Sequence, residues 1–385
     1  MRTFHSFRNQ LVFALVFILL VSVGIQGQVA AASDENKISR IEELAAAEFA
    51  KDKVGSLSIA VITPSGKVWY KSFGSAATDV TPATERTIYR IGSITKQFTA
   101  LMFVQLLNHR KVRLSDPVEK YLPEINKIQG RYKDSPPITF VQLATHTAGL
   151  SAEPDEGGIF TSGPVKNWEA KTLAAIPRTK FIAEPGSRFS YSNIGYAILG
   201  AALAKAAKQS YVEYIQNNIF RPLRMNDTTF ELNDDQRKRL SVGYEIGEGI
   251  SSSEVSEREH RGRGYKVPNG GAYSTVGDMA KFVSFELGNG PETVLKREQL
   301  DENFTRLIVS NGNLTGGYGL GFEMFRRDDL LGFGHSGLVA GYEAAAYFTR
   351  NTKTAVIMLR SSTGGAFRGT RLCINILREL NRSTQ

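Results

Sequence analysis

The segment that most constrains the fold of this chain is an apolar helical stretch that begins at Gly92–Lys96. A run over residues 87–91 with the composition of a β-strand comes directly before it. Apolar residues recur at helical spacing and also occupy the other sides of the helix: Ile94, Phe98, Leu101, Met102, Val104 and Leu106. A helix that is apolar around most of its circumference is buried in a domain core. We therefore expect the rest of the chain to pack around it.

Two polar residues, Ser93 and Lys96, lie at the start of this helix. A Ser at a helix N-terminus is commonly an N-cap, and the helix dipole is positive there. Because side chains at i and i+3 share a helix face, the Lys96 amine can reach the Ser93 hydroxyl. An amine beside a serine on a buried helix can make that serine nucleophilic without a histidine. Taken alone, the short S-x-x-K pattern is explained more simply by a capping Ser with an unrelated Lys.

Composition limits the classes of protein to which the chain can belong. Its 385 residues suffice for one large or two medium domains, and 42% hydrophobic and 22% charged residues are ordinary for a soluble globular protein. The single cysteine, Cys373, excludes an internal disulfide and a cysteine-built metal site, and its apolar, helical surroundings predict a buried thiol. The net charge of +9 is spread along the chain. That spread disfavours nucleic-acid binding and allows loose association with an anionic cell envelope.

The N-terminal residues 1–32 are typical of an export signal peptide. Arg2 and Arg8 precede an apolar run over 11–23, and residues 30–32 are three alanines that suit a signal peptidase. The apolar run is shorter than the roughly 20 residues of a membrane-spanning helix. An uncleaved N-terminal anchor is the alternative. We therefore predict a secreted or periplasmic protein.

Predicted strands occur towards both ends of the chain, and short helices separated by prolines occupy the middle. The predicted strands are Leu57–Thr63, Val68–Phe73, Gly319–Phe325, Leu331–His335, Glu343–Phe348 and Thr354–Leu359. The predicted helices, besides the one after Ser93, are Lys37–Ala50, Val141–Thr145, Ile194–Ala207, Val212–Phe220, Val276–Leu287, Glu298–Val309 and Phe367–Leu380. Two polar segments, Glu153–Gly163 and Glu248–Arg263, are expected to form surface loops.

This order of elements predicts an α/β (α+β) fold with one sheet built from the N- and C-terminal segments and flanked by helices. Residues 33–113 and 270–385 would form the sheet domain. Residues 114–269 would form a mostly helical inserted domain. The active site is expected at the interface between the two.

Two further motifs lie where this architecture would bring them near Ser93. Tyr191-Ser192-Asn193 precedes a predicted helix, and His335-Ser336-Gly337 ends a predicted strand. In the order S-x-x-K, Y-x-N, H-S-G, the motifs resemble those of serine hydrolases related to class C β-lactamases and D,D-peptidases. Other segments match that family as well: Asp116–Val118, Tyr121–Pro123, His146–Leu150, Gly243–Tyr244, Gly270–Thr275 and Gly317–Phe322. The resemblance covers about residues 57–359 and implies a β-lactamase/transpeptidase-like fold with an antiparallel sheet.

The catalytic residues that the motifs indicate are Ser93, Lys96 and Tyr191. Ser93 would attack an acyl carbon and form an acyl-enzyme. Lys96 can act as a base only if burial or nearby positive charge lowers its pKa from about 10.4. Tyr191, with a free pKa of about 10, is the second candidate for moving the proton. In the family that the chain resembles, Lys and Tyr share this work, and the sequence leaves open which of them deprotonates Ser93.

Substrate binding is assigned to Asn193 and to the segment His335–Leu338. The Asn193 amide can hydrogen-bond both Lys96 and a substrate carbonyl, although a helix N-cap is its simpler role. An oxyanion hole needs two N–H donors, of which the Ser93 N–H is one. The resemblance implies that the Leu338 N–H is the other, and Gly337 permits close backbone approach.

His335 departs from the Lys-Thr-Gly segment of the family's β-lactamases. A His at this place resembles D,D-carboxypeptidases, D-aminopeptidases and esterases of the same fold. We expect protonated His335, together with Ser336, to help hold a substrate carboxylate. With a free pKa of about 6.5, this histidine would do so only weakly at neutral pH.

Other hydrolase chemistries fit the sequence less well. A Ser-His-Asp triad is disfavoured because G-x-S-x-G is absent, and a metal enzyme because no two of the five histidines are close in sequence. We therefore expect a cofactor-free serine hydrolase that acts on an amide or ester, either a small acyl compound or a peptidoglycan-type peptide. A D,D-carboxypeptidase-like or D-aminopeptidase-like peptidase and an esterase rank first. The alternatives are a class C type β-lactamase and a penicillin- or wall-binding protein with little turnover.

Overall fold

The structure is a computed structural model that describes residues 35–77, 81–248, 250–260, 262–305, 309–310 and 316–382. The predicted export signal, residues 1–32, lies outside these ranges. Within them, no helix combines the length and the apolar character needed to cross a membrane.

An eight-stranded antiparallel sheet forms the centre of the fold, in the order β2-β1-β12-β11-β10-β9-β8-β7. Two smaller sheets have the orders β13-β4-β5 and β3-β6. The strands are β1 (Ser56–Ile62), β2 (Val68–Gly74), β3 (Tyr89–Arg90), β4 (Tyr244–Gly247), β5 (Ile250–Ser252), β6 (Tyr273–Ser274), β7 (Val309–Ser310), β8 (Gly316–Tyr318), β9 (Glu323–Arg327), β10 (Leu330–Val339), β11 (Tyr342–Thr349), β12 (Thr354–Arg360) and β13 (Ser362–Gly364).

The helices follow in chain order around this sheet. They are α1 (35–49), α2 (Thr95–Asn108), α3 (Phe140–Ala144), α4 (Trp168–Ala175), α5 (Asn193–Ala207), α6 (Tyr211–Ile215), α7 (Asp234–Lys238), α8 (Glu254–Glu259), α9 (Val267–Gly270), α10 (Val276–Glu286), α11 (Arg297–Thr305) and α12 (Gly369–Asn381). A π-helical turn, Gln216–Phe220, extends α6.

Strands β1 and β12, the second and third in the sheet order, are buried along their whole length because helices cover both faces. Alternate residues of a strand point to opposite faces. Ile59 and Met358 therefore pack in one core with the apolar face of α12, whereas Ala60 and Ile357 pack in a second core with α2 and α10. The thiol of Cys373 lies in the α12 core with no exposed surface, as predicted.

Helix α2 is the buried element that the other helices surround. Its residues Thr95–Leu106 are all buried. Phe98 lies at the centre, with its ring 4.9 Å from the ring of Phe220 and 4.8 Å from that of Phe282, both in edge-on geometry. Helices α5 and α9 also contact α2. The expectation that this helix is central to the fold is confirmed.

The predicted fold class is confirmed, with strands from both ends of the chain in one antiparallel sheet and helices between. The exact domain boundaries remain a prediction. Three local expectations were wrong. The predicted helix Glu298–Val309 begins at Arg297, and Val309 belongs to β7. The predicted strand Gly319–Phe325 is a turn between β8 and β9 plus the start of β9. The predicted loop Glu248–Arg263 contains β5 and α8, and its end, Arg263, is 6% exposed because the backbone on either side of it packs against residues 160–163.

Candidate active site

Ser93 lies in the middle of a single 3₁₀ turn, Gly92–Ile94, between β3 and α2. Gly92 has a φ of +51°, and a Cβ atom there would lie 2.8 Å from the Leu338 backbone nitrogen. Glycine is required at this position for two reasons: the backbone is left-handed, and a side chain would prevent the close contact with β10. The turn sets the Ser93 side chain, which is partly exposed, directly before the buried helix.

The Ser93 side chain does not cap α2, contrary to the sequence-based interpretation. The N-cap residue of this helix is Ile94, and no side chain caps it. The Ser93 Oγ instead lies 3.1 Å from the Lys96 Nζ. The serine hydroxyl is therefore available for chemistry rather than committed to the helix backbone.

The Lys96 amine is fully buried and has three polar neighbours. Besides Ser93 Oγ, its Nζ lies 2.7 Å from Asn193 Oδ1 and 2.9 Å from the Asn269 carbonyl oxygen. Burial holds the pKa of Lys96 well below its ordinary value of 10.5. The negative charge of Glu153 opposes that effect, and the positive charge of Lys266 adds to it. A buried amine with a lowered pKa can be neutral at neutral pH.

Tyr191 packs over this amine, with Lys96 Nζ 4.8 Å from the centre of its ring. Burial raises the pKa of Tyr191 above its ordinary value of 10.0, and a hydrogen bond with the Ser93 side chain opposes the rise only in part. Tyr191 is therefore a neutral phenol at neutral pH, and its hydroxyl lies beside the Ser93 hydroxyl.

Asn193 is the first residue of α5 and is not its N-cap. That role belongs to Ser192, whose hydroxyl accepts the Gly195 N–H at 3.0 Å. The Asn193 side chain is thus free to face the site. Its Oδ1 accepts from Lys96, and its Nδ2 donates to Glu153 Oε1 at 2.7 Å.

Three residues that sequence reasoning missed complete this network: Glu153, Lys266 and Asn269. The Lys266 Nζ lies 3.3 Å from Glu153 Oε1, so that carboxylate contacts both an amide and an ammonium group. The Asn269 side chain donates to the Asn193 carbonyl at 3.0 Å, while its own carbonyl accepts from Lys96. Asn269 directly precedes the Gly270-Gly271 pair, which could have drawn attention to it. Glu153 carried no signal beyond its place in a polar loop.

Strand β10 passes beside the Ser93 turn at Gly337. A Cβ atom on Gly337 would lie 2.0 Å from the Ile91 carbonyl oxygen and 3.2 Å from the Ser93 nitrogen. Only a glycine permits this approach. The next residue, Leu338, has a side chain that is 68% exposed, and its backbone nitrogen faces Gly92. The backbone nitrogens of Ser93 and Leu338 thereby come to the same part of the site.

His335 and Ser336 lie inside β10 rather than at its end. His335 is 1% exposed, with Nε2 3.0 Å from the Tyr318 hydroxyl and Nδ1 2.5 Å from the Ser336 carbonyl oxygen. Burial lowers the pKa of His335 below 6.5. At neutral pH this imidazole is therefore neutral, and a role for its protonated form in holding a substrate carboxylate stays a prediction.

The carboxylate of Glu323 supplies the charge next to this part of β10. The Ser336 hydroxyl donates to Glu323 Oε1 at 3.4 Å, and the Tyr347 hydroxyl donates to Oε2 at 2.8 Å. The His335 Nδ1 lies 4.0 Å from the same carboxylate. A negative charge beside His335 and Ser336 favours a neutral or cationic group of a ligand over a carboxylate.

A cluster of buried rings supports the catalytic side chains from behind. The His146 ring lies 4.2 Å from that of Tyr191, 4.9 Å from that of Tyr196 and 4.7 Å from that of Tyr318. The His146 Nδ1 accepts the Ser192 N–H at 3.0 Å, and burial lowers the pKa of this histidine well below 6.5. His146 is thus a neutral packing residue that fixes Tyr191 and the start of α5. Within the described ranges, no three His, Cys, Asp or Glu side chains gather where they could hold a metal ion.

Known proteins are similar to this chain over most of its length. The β-lactamase family model matches residues 41–377. The D-alanyl-D-alanine-carboxypeptidase/endopeptidase AmpH of Escherichia coli (strain K12) is 31% identical over 282 residues, which are 72% of this chain and 68% of AmpH. β-lactamase-like protein 2 of Dictyostelium discoideum is 31% identical over 297 residues, 75% of this chain and 53% of that protein.

Two solved structures share the fold. The octameric penicillin-binding protein homologue from Pyrococcus abyssi superposes with a TM-score of 0.74 at 28% identity, covering 89% of this chain and 77% of its own. A class C β-lactamase superposes with a TM-score of 0.75 at 20% identity, covering 91% and 98%. With a family model spanning most of its length, this chain belongs to the β-lactamase family of serine hydrolases.

Proposed function

We propose that the protein hydrolyses an amide or ester through an acyl-enzyme on Ser93. The observation that carries this proposal is the fully buried Lys96 amine, 3.1 Å from Ser93 Oγ and held by Asn193 and Asn269. A neutral amine has two N–H donors and one lone pair. If the donors bind the two asparagine oxygens, the lone pair is left for the Ser93 proton.

Lys96 is accordingly the proposed general base, and Tyr191 the proposed proton carrier. Burial keeps Tyr191 protonated at neutral pH, so it serves as an acid before it can serve as a base. As Ser93 Oγ bonds to the acyl carbon, its proton passes to Lys96. Tyr191 donates a proton to the leaving group, and protonated Lys96 can then return a proton to Tyr191. In the second step, water attacks the acyl-enzyme, and the same groups return Ser93 to its hydroxyl form.

The proposed oxyanion hole consists of the N–H groups of Ser93 and Leu338. The close contact of Gly337 with Ile91 and Ser93 supports it, because two donors must lie within hydrogen-bonding reach of the same oxygen. Asn193 is the proposed contact for the carbonyl of the acyl side chain. His335 is proposed to position β10 through Tyr318, and Ser336 to line the site beside Glu323.

Within this chemistry we propose a D-stereospecific carboxypeptidase-like or aminopeptidase-like peptidase, or an esterase. The likeness to AmpH, a D-alanyl-D-alanine carboxypeptidase/endopeptidase by name, supports the peptidase. The neutral His335 and the negative Glu323 beside it support substrates without a carboxylate at that place, such as esters. We also propose that the protein acts in the periplasm or outside the cell, on the basis of residues 1–32.

The test is a substrate panel run on wild type, Ser93→Ala and a matched control, Ser187→Ala, in an exposed turn. The panel contains a D-Ala-D-Ala peptide, a D-amino acid amide, a p-nitrophenyl ester, nitrocefin and a fluorescent penicillin. We expect hydrolysis and covalent labelling in wild type and in the Ser187 variant, and neither in the Ser93 variant.

Each other outcome of the panel contradicts part of the proposal. Labelling that persists in Ser93→Ala removes Ser93 as nucleophile. Labelling of wild type without turnover of any substrate points to a penicillin-binding role. Turnover of nitrocefin alone points to a β-lactamase.

A further inference from the structure

A cavity beside β6, the strand that pairs with β3, has no part in the mechanism proposed above. Its volume is about 370 Å³. The cavity is lined by Phe230–Leu232, by Arg237 of α7, by three residues that follow α8 and by Tyr273 of β6. The three residues after α8 are His260, Gly262 and Arg263. The link to the active site is short, since β6 pairs Tyr273 with Arg90, three residues before Ser93.

Buried guanidinium groups dominate the polar side of this cavity. Arg263 lines it and is 6% exposed, and Arg90 behind it is 1% exposed. Both bind one carboxylate: Arg90 Nη2 donates to Glu259 Oε2 at 2.8 Å, and Arg263 Nη1 donates to the same oxygen. Arg237 of α7 lines the cavity as well. Two buried cations thus share one partly exposed carboxylate, Arg237 adds a third positive charge, and the exposed Glu231 is the second carboxylate at the cavity.

Two of the buried guanidinium N–H groups lack an acceptor. The Arg263 Nε and the Arg90 Nη1 have no hydrogen-bond partner among the residues that the structure describes. A buried polar group without a partner is destabilising, and more so when it is charged. An unsatisfied donor on a residue that lines a cavity marks a place where an acceptor from a ligand would be favourable.

The histidine in the cavity wall does not supply that acceptor. The His260 ring is occupied by tyrosine hydroxyls, with Nδ1 2.9 Å from Tyr273 and Nε2 3.2 Å from Tyr342. Burial and the nearby Arg90 lower the pKa of His260 to about 4, so it is neutral and adds no compensating charge. The other walls, Pro164, Val165, Phe230 and Leu232, are apolar.

We propose that this cavity binds an anionic group, a carboxylate or a phosphate, that is joined to a small apolar or ring-shaped moiety. The anion would accept from Arg263 and pair with Arg237, and the moiety would fill the apolar end. Such a group can belong to a free small molecule or to a remote part of the substrate acylating Ser93. The site itself does not depend on the chemistry at Ser93.

Phenylphosphate, which combines the two required features, is the probe. Its dissociation constant is measured by titration calorimetry with wild type, Arg263→Gln, Arg237→Gln and Lys238→Gln. Lys238 is the matched control, because it is the exposed neighbour of Arg237 on α7 and does not line the cavity. Losing one charge-assisted hydrogen bond should weaken binding roughly tenfold in Arg263→Gln. A smaller loss is expected in Arg237→Gln, whose side chain is exposed, and none in Lys238→Gln.

Equal affinity of wild type and Arg263→Gln would overturn the proposal, as would equal binding of benzyl alcohol. If circular dichroism shows that Arg263→Gln is unfolded, the affinities of Arg263→Lys and Arg237→Gln are compared with that of wild type instead. Affinity equal to wild type in both variants would overturn the proposal. Repeating the titration in Ser93→Ala separates this site from the proposed function, because binding should persist there. If phenylphosphate binds and also competitively inhibits p-nitrophenyl ester hydrolysis, the anionic group belongs to a remote part of the substrate. Binding without inhibition assigns it to a separate small molecule.

Discussion

The substitution Gly337→Ala tests whether catalysis depends on the close approach of β10 to the Ser93 turn. The added Cβ would lie 2.0 Å from the Ile91 carbonyl oxygen, whereas Cβ atoms essentially never come closer than 3.0 Å to such an atom. The gap must therefore open by about 1 Å. A backbone oxygen cannot rotate away as a side chain can, so the strand or the turn has to move.

A displacement of this size should remove one donor of the proposed oxyanion hole. Loss of one such donor lowers kcat by about 10²–10³. The overpacking should also reduce the free energy of unfolding by about 1–3 kcal/mol. The assay is steady-state hydrolysis of a p-nitrophenyl ester, or of whichever substrate the panel identifies, with thermal unfolding followed by circular dichroism.

Gly332→Ala is the matched control on the same strand. Its Cβ would lie 2.1 Å from the Cζ of Phe325, a partly exposed side chain that can turn aside. This variant should lose some stability and keep most of its kcat. If Gly337→Ala is folded and its kcat stays within about threefold of wild type, the oxyanion assignment for Leu338 is wrong.

Three other predictions concern charge and burial. Glu153 raises the pKa of Lys96, so Glu153→Gln, which keeps an acceptor for Asn193, should move the acid limb of the kcat/KM profile to lower pH. The exposed Glu156→Gln should leave that limb in place, and an upward shift in Glu153→Gln would contradict Lys96 as base. Burial lowers the pKa of His335 below 6.5, so this histidine is mostly neutral at pH 7 and above, and its titration should not raise the KM of an anionic substrate in that range. A rise that is lost in His335→Gln would restore the carboxylate-binding role. Burial raises the pKa of Cys373, so iodoacetamide should label the native protein only as fast as it unfolds, and rapid labelling would disprove the buried position.

The chain's local patterns were sufficient to predict most of its elements. The period of apolar residues predicted α2, α5 and α10, and runs of β-formers predicted β1 and β2. Placing strands at both ends of the chain led to the correct sheet. These features depend on near neighbours in sequence, which is why the sequence alone could predict them.

The sequence also indicated Ser93, Lys96 and Asn193 as neighbours, because short motifs in a fixed order resembled a known family. It could not show that Ser192 rather than Asn193 caps α5, or that Ile94 takes the cap position of α2. A one-residue shift at a helix end changes which side chain faces the site, and local propensity does not resolve it.

Only the tertiary structure determined the charges around the site. Glu153 and Lys266 are separated by more than a hundred residues yet form one ion pair behind Asn193. The burial of His335 follows from its position inside β10 and its contact with Tyr318. The pKa of a side chain depends on burial and on charges a few ångströms away in space. The sequence therefore determined which groups can react, and the packing determined which of them are neutral when they do.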